Sequence, residues 1–92
     1  MIYYPVFDLG FRGDASQFEV YLDRLFDELM TKVGDPDLAV NLHTRRADLT
    51  FAIDADSPDR AYTHGGEIVW GVVNTLGDAR LWEVREVVET GA

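Results

Sequence analysis

The chain has 92 residues, 47% of them hydrophobic, with 8 Lys+Arg against 17 Asp+Glu for a net charge of −9, and no cysteine. That length allows one domain with a modest core, and the hydrophobic content is too high for a disordered chain. The charge balance works against nonspecific nucleic-acid binding, which draws its affinity from Lys and Arg on phosphates, and the missing cysteine excludes disulfides, thiolate metal sites and cysteine nucleophiles.

No apolar run approaches the roughly 20 residues that span a bilayer, and the N-terminus has no basic region followed by an apolar stretch. A cytoplasmic chain without a membrane partner is therefore expected. Seven of the eight basic residues are Arg, a bias that GC-rich genomes produce and that fits an actinobacterial or phage origin. With no repeat, low-complexity segment or linker, residues 1–92 read as a single α+β domain.

Residues 2–12 read as a strand, with Phe7, Leu9 and Phe11 alternating with Val6, Asp8 and Gly10. Pro5 has no backbone donor, so regular pairing is expected to begin after it. In the helix that follows, Phe18, Leu22, Leu25, Leu29 and Val33 recur at helical spacing, widened by Tyr21 and Phe26. Ser16 and Glu19 have capping-box spacing, Asp14 competes as N-cap, Gly34 is the expected C-cap, and Pro36 forbids continuation.

Residues 38–44 and 47–54 read as a hairpin. A single register sets Leu42 opposite Leu49, Val40 opposite Phe51 and Leu38 opposite Ile53, and it also places His43 opposite Asp48 and Asn41 opposite Thr50. A four-residue loop from Thr44 to Ala47 suits it better than an Arg45-Arg46 two-residue turn, because Arg-Arg is poor at the left-handed positions. The second helix opens with Ser57 as N-cap and Pro58 at its first position, carries a stripe of Ala61, Gly65, Ile68, Val69, Val72 and Leu76, and stops at Gly77. The Gly65-Gly66 pair costs about 1 kcal/mol per residue relative to Ala. Either the backbone approaches a neighbour closely there, or the helix begins near Thr63. Residues 80–89 read as the last strand, with Trp82, Val84 and Val88 opposite in face to Leu81, Glu83, Arg85, Val87 and Glu89.

This order of strand, helix, strand, strand, helix, strand resembles the ferredoxin-like fold over essentially the whole chain: a four-stranded antiparallel sheet with two helices on one face. The resemblance is one of element order, without a sequence motif. Because that fold hosts unrelated activities, it implies no function.

Such a sheet puts Phe7, Leu9, Phe11, Leu38, Val40, Leu42, Leu49, Phe51, Ile53, Trp82, Val84 and Val88 in the core. The open face receives Asp8, Gly10, Arg12, Asn41, His43, Asp48, Thr50, Glu83, Arg85 and Glu89. His43 and Asp48 have the chemistry of an oriented general base, although no nucleophile accompanies them and cross-strand polar pairs are common decoration. A small ligand on this face would meet Arg12, Asn41, His43 and Arg85. His64 and Glu67 supply two helix-spaced metal donors but lack the third and fourth, and Asp54–Asp59 fails the calcium-loop pattern at Pro58 and Gly65, so no metal and no cofactor are expected. Thr63–Gly66 lacks the glycine spacing and lysine of a phosphate loop.

Trp70 is the apolar outlier. On an unbroken helix it lies about 140° from the centre of the buried stripe, with Tyr62, Gly66 and Val73 between. These four residues are the expected contact surface of a non-catalytic protein-interaction or self-association module, with a homodimer as the simplest form. Two other classes stay open. Glu19, Asp23, Asp27, Asp35, Asp37, Asp54, Asp56 and Asp59 would let the chain act as an acidic decoy that imitates nucleic acid in a basic protein groove. Alternatively, the polar sheet face holds a small-ligand or enzyme site.

Overall fold

A computed structural model describes residues 1–87. It is α+β, with two helices and an antiparallel sheet of five strand segments: β1 (Ile2–Tyr3), β2 (Val6–Phe11), α1 (Ala15–Met30), β3 (Gly34–Asn41), β4 (Arg46–Asp54), α2 (Pro58–Leu76) and β5 (Leu81–Val87). The fifth segment comes from Pro5. β1 and β2 lie on the same side of β4 in one continuous register, Ile2 against Asp54 and Tyr3 against Ile53, then Val6 against Thr50 through Gly10 against Arg46. Tyr4-Pro5 interrupts the ladder because proline has no N–H to donate. β3 pairs with β4, β4 with β2, and β2 with β5, which leaves β3 and β5 at the edges among the described residues.

Both helices cover one sheet face. Phe11 stacks against Phe18 and tilts against Tyr21 of α1, with ring centroids 5.2 and 5.4 Å apart. Phe7, on the same face of β2, meets Tyr62 of α2 edge-on at 5.9 Å and stacks on Phe51 of β4 at 6.0 Å. Leu9, Leu25, Leu29, Leu49, Val69 and Val72 are buried in the same core. Burial pushes the Tyr21 phenol up to about 12, aided by the charge of Asp78 and opposed by Arg24.

Both helix starts follow capping chemistry. Asp14, not Ser16, caps α1: its carboxylate accepts from Gln17 N at 2.8 Å while Gln17 Oε1 accepts from Asp14 N at 3.0 Å. Thr31, three residues before Gly34, ends α1, and its hydroxyl donates to Glu28 O at 2.7 Å. α2 runs unbroken from Pro58, with Ser57 as N-cap and a left-handed Gly77 (φ 62°) as C-cap. The Gly65 alternative therefore resolves as close approach: a Cβ there would sit 3.1 Å from Phe7 Cζ and 3.2 Å from Pro5 Cγ.

One expected register and one expected alternation do not hold. In the hairpin, Leu38 pairs with Leu49, Ala39 with Asp48, Val40 with Ala47 and Asn41 with Arg46. The loop has the expected four residues but runs from Leu42 to Arg45, because the Asn41 Oδ1 accepts from His43 N and Thr44 N at 3.1 and 3.2 Å and Arg45 takes the positive φ of 53°. The slip is even, so the inward and outward faces are kept. His43 nevertheless lies in the loop, away from the position opposite Asp48. In β5, Gly10 pairs with Glu83 but Phe11 pairs with Leu81, so Trp82 is the extra residue of a bulge. The bulge inverts the local alternation: Leu81 packs on the core and Trp82, 48% exposed, joins the open face. Val40 faces the helix side but is 44% exposed at the sheet edge. Val88 and Glu89 lie outside the described residues.

Candidate functional site

Two surfaces gather the candidate residues. The first is the open sheet face, organised around Asp8 at the centre of β2. Asp8 is only 8% exposed. A carboxylate so buried needs charged donors, and Arg46 supplies them: its Nε donates to Asp8 Oδ1 at 2.8 Å, and its Nη2 contacts the same oxygen and donates to Glu83 Oε2 at 2.7 Å. Arg85 Nη2 lies 3.6 Å from Asp8. The indole of Trp82 lies across Gly10, where a Cβ would approach Trp82 Cε2 and Arg46 Nη1 to 3.0 Å. This is the aromatic cover that a glycine in a sheet invites. Guanidiniums of Arg12 and Arg46 stand 5.7 and 5.6 Å from the Trp82 ring centre.

Arg46 is the residue that sequence reasoning misses. The expected register sets it in a loop, although it shares the parity of Asp48 and Thr50 and so the open face of β4. Of the predicted ligand residues, Arg12 and Arg85 join this network. Asn41 spends its side chain on the hairpin turn, and His43 sits beyond the strand end. The His43–Asp48 pair is therefore not assembled. Asp48 faces Asp8 directly across the strands. Its carboxyl is held above the ordinary range, first by desolvation and then by the hydrogen bond and charge of Asp8, against the lowering effect of Arg46 and Arg85.

A raised carboxyl pKa means that the folded chain holds the proton more tightly than the unfolded chain. The stability from this group is present at low pH and is lost as pH rises through the raised titration range. Asp48→Asn is expected to raise the melting temperature at neutral pH, with the advantage shrinking on acidification. Thermal melts across that range check it, and an unchanged or lowered neutral melting temperature would count against the pairing.

The second surface is the flank of α2 beside β5. Trp70 is 51% exposed. Phe7, Thr63, Gly66, Glu67, Trp70, Val84 and Glu86 line a shallow cavity between helix and strand. A Cβ on Gly66 would still be 3.8 Å from its nearest neighbours, Phe7 Cε1 and Glu86 Oε1, so this glycine opens the cavity where Gly65 is packed shut. Tyr62 is half-buried and donates from its hydroxyl to Val87 O at 2.7 Å, and Val73 packs on the core edge. Of the four predicted contact residues, Trp70 and Gly66 line this cavity, while Tyr62 and Val73 lie outside it, partly buried against the core.

Among the described residues no cluster of three metal-donor side chains occurs, and no helix is long and apolar enough to cross a membrane. Comparison with protein-family models, with curated proteins and with solved structures finds no match to this chain.

Proposed function

We propose that the chain is a ferredoxin-like self-association module whose contact is the Trp70 flank of α2. The ferredoxin-like reading is supported by the shared register of β1 and β2 on β4, which makes them one interrupted strand and gives a four-strand order β3, β4, β1/β2, β5.

The observation that carries the functional reading is the spacing of Trp70 and Gly66. They lie one helical turn apart on one face, the first an exposed indole and the second the mouth of a cavity. A two-fold axis crossing α2 near Ile68 sets residue 70 of each copy over residue 66 of the other. The same patch then serves as knob and hole on both subunits, as a closed dimer requires. A buried tryptophan in such a pocket is the residue type that most often dominates binding energy.

Sedimentation velocity over a concentration series tests the proposal. The native chain is expected to dimerise, and Trp70→Ala and Gly66→Leu to remain monomeric with intact circular dichroism. Glu67 and Glu86 border the contact, so rising salt strengthens association of two copies, whereas a cationic partner held by the same carboxylates would be released by it. A native chain that stays monomeric at every concentration, or variants that associate unchanged, would refute the reading.

A further inference from the structure

The opposite sheet edge has a different character. β5 is guarded as edge strands usually are, by the Trp82 bulge and by charged Glu83, Arg85 and Glu86. β3 is guarded only at its start, where Asp35 has φ 50°, Pro36 lacks a donor and the pairing shifts before Asp37. From Asp37 to Asn41 the strand is regular, pairs only with β4 among the described residues, and presents no lysine or proline. On the helix side this bare stretch borders a groove floored by Leu22, Phe26, Leu38, Val40 and Leu42. The far wall of the groove is a row of carboxylates on α1, Glu19, Asp23 and Asp27, each one helical turn from the next.

We infer that the β3 edge binds an extended cationic segment of another polypeptide, which adds to the sheet as a strand. Backbone pairing along Asp37–Asn41 supplies the register, as in other strand-addition contacts. The helix-facing positions of the incoming strand supply selectivity. A central apolar residue fills the groove over Leu22 and Phe26, and long basic residues on either side lay their stems on the apolar floor and their heads on the carboxylates. The spacing agrees. Glu19 and Asp27 are eight residues apart on a helix, about 12 Å. Two basic residues four apart on a strand are about 14 Å apart. α1 returns into β3 through residues 31–33, so the carboxylate row and the strand edge run antiparallel, side by side.

Charge selects this occupant over a second copy of the chain. Pairing β3 with its own symmetry mate would set two rows of Glu19, Asp23 and Asp27 and two Asp37 side chains against one another, and like charges across an interface are strongly unfavourable. An acidic or neutral strand finds the same groove without the ion pairs.

The test uses the peptide acetyl-Arg-Thr-Val-Thr-Arg-amide and its counterpart with Glu in place of Arg, titrated into the isotopically labelled chain. The arginine peptide is expected to shift the amides of residues 37–42 and of the groove side of α1, and the glutamate peptide to leave them unmoved. Asp23→Lys/Asp27→Lys changes only exposed positions and should weaken binding by at least about tenfold. Its circular dichroism verifies that it is folded. Absence of binding by the arginine peptide, equal binding by the glutamate peptide, unchanged affinity of the reversed variant, or shifts of residues 37–42 produced by simple concentration of the chain would each overturn the inference.

Discussion

Phe7→Ala is expected to destabilise the folded chain by about 3–5 kcal/mol, the range for removing a large aromatic side chain from a close-packed core. Phe7 is 1% exposed and holds the α2 half of the core together. It stacks on Phe51 at 6.0 Å, meets Tyr62 edge-on at 5.9 Å, and receives the backbone of α2 at Gly65, where a Cβ would lie 3.1 Å from its ring. Part of the cost is the lost transfer of the ring out of water. The rest is the cavity left behind, which the surroundings fill poorly because Gly65 has no side chain to move into it. Urea denaturation measures the change as a lower midpoint at unchanged slope. A loss below about 1 kcal/mol would mean that the ring is not enclosed between β4 and α2.

Arg46→Met is the second large effect. Removing one partner of a buried ion pair costs about 3–5 kcal/mol because the other charge is stranded. Here the Arg46 side chain is 29% exposed and Arg85 remains 3.6 Å from Asp8, which brings the expectation to about 2–4 kcal/mol once solvent screening is counted. The diagnostic is rescue. Asp8→Asn removes the stranded charge and also the repulsion toward Asp48, so the double variant Asp8→Asn/Arg46→Met is expected to recover most of the loss. Thermal and urea unfolding of the four proteins at neutral pH give the coupling energy. Simple additivity of the two changes would show that Asp8 does not depend on Arg46.

The helices were legible in the sequence because their signals are local. Ser57, Pro58 and Gly77 mark the ends of α2 by cap chemistry alone, and Phe18, Leu22, Leu25 and Leu29 mark the buried stripe of α1. Strand faces were legible for the same reason, since alternation survives any even slip. Register was not. The hairpin alternation fits two registers equally well, and the Asx turn at Asn41, a bond between one side chain and the next backbone donors, decides between them. Trp82 was misplaced because a bulge adds a residue that alternation cannot anticipate. Its cause lies across the sheet, in the space that Gly10 leaves for an indole. The Asp8–Arg46–Glu83 network is hidden by the hairpin register, because the alternative that alternation favours sets Arg46 in the loop. On the α2 flank the reading needed only helical periodicity, so the exposed position of Trp70 was within reach. The difference between Gly65 and Gly66 was not, because it depends on where Phe7 and Pro5 sit in space.

The indole N–H groups of Trp70 and Trp82 serve as separate probes of the two surfaces, and a dilution series followed by ¹H–¹⁵N correlation spectra, assigned with Trp70→Phe, tests the self-association proposal most directly. The indole signal of Trp70 and the amide of Gly66 should move together with concentration while the indole of Trp82 stays fixed. If Trp70 and Gly66 hold their positions throughout, or Trp82 moves in their place, the α2 flank is not where copies of this chain meet.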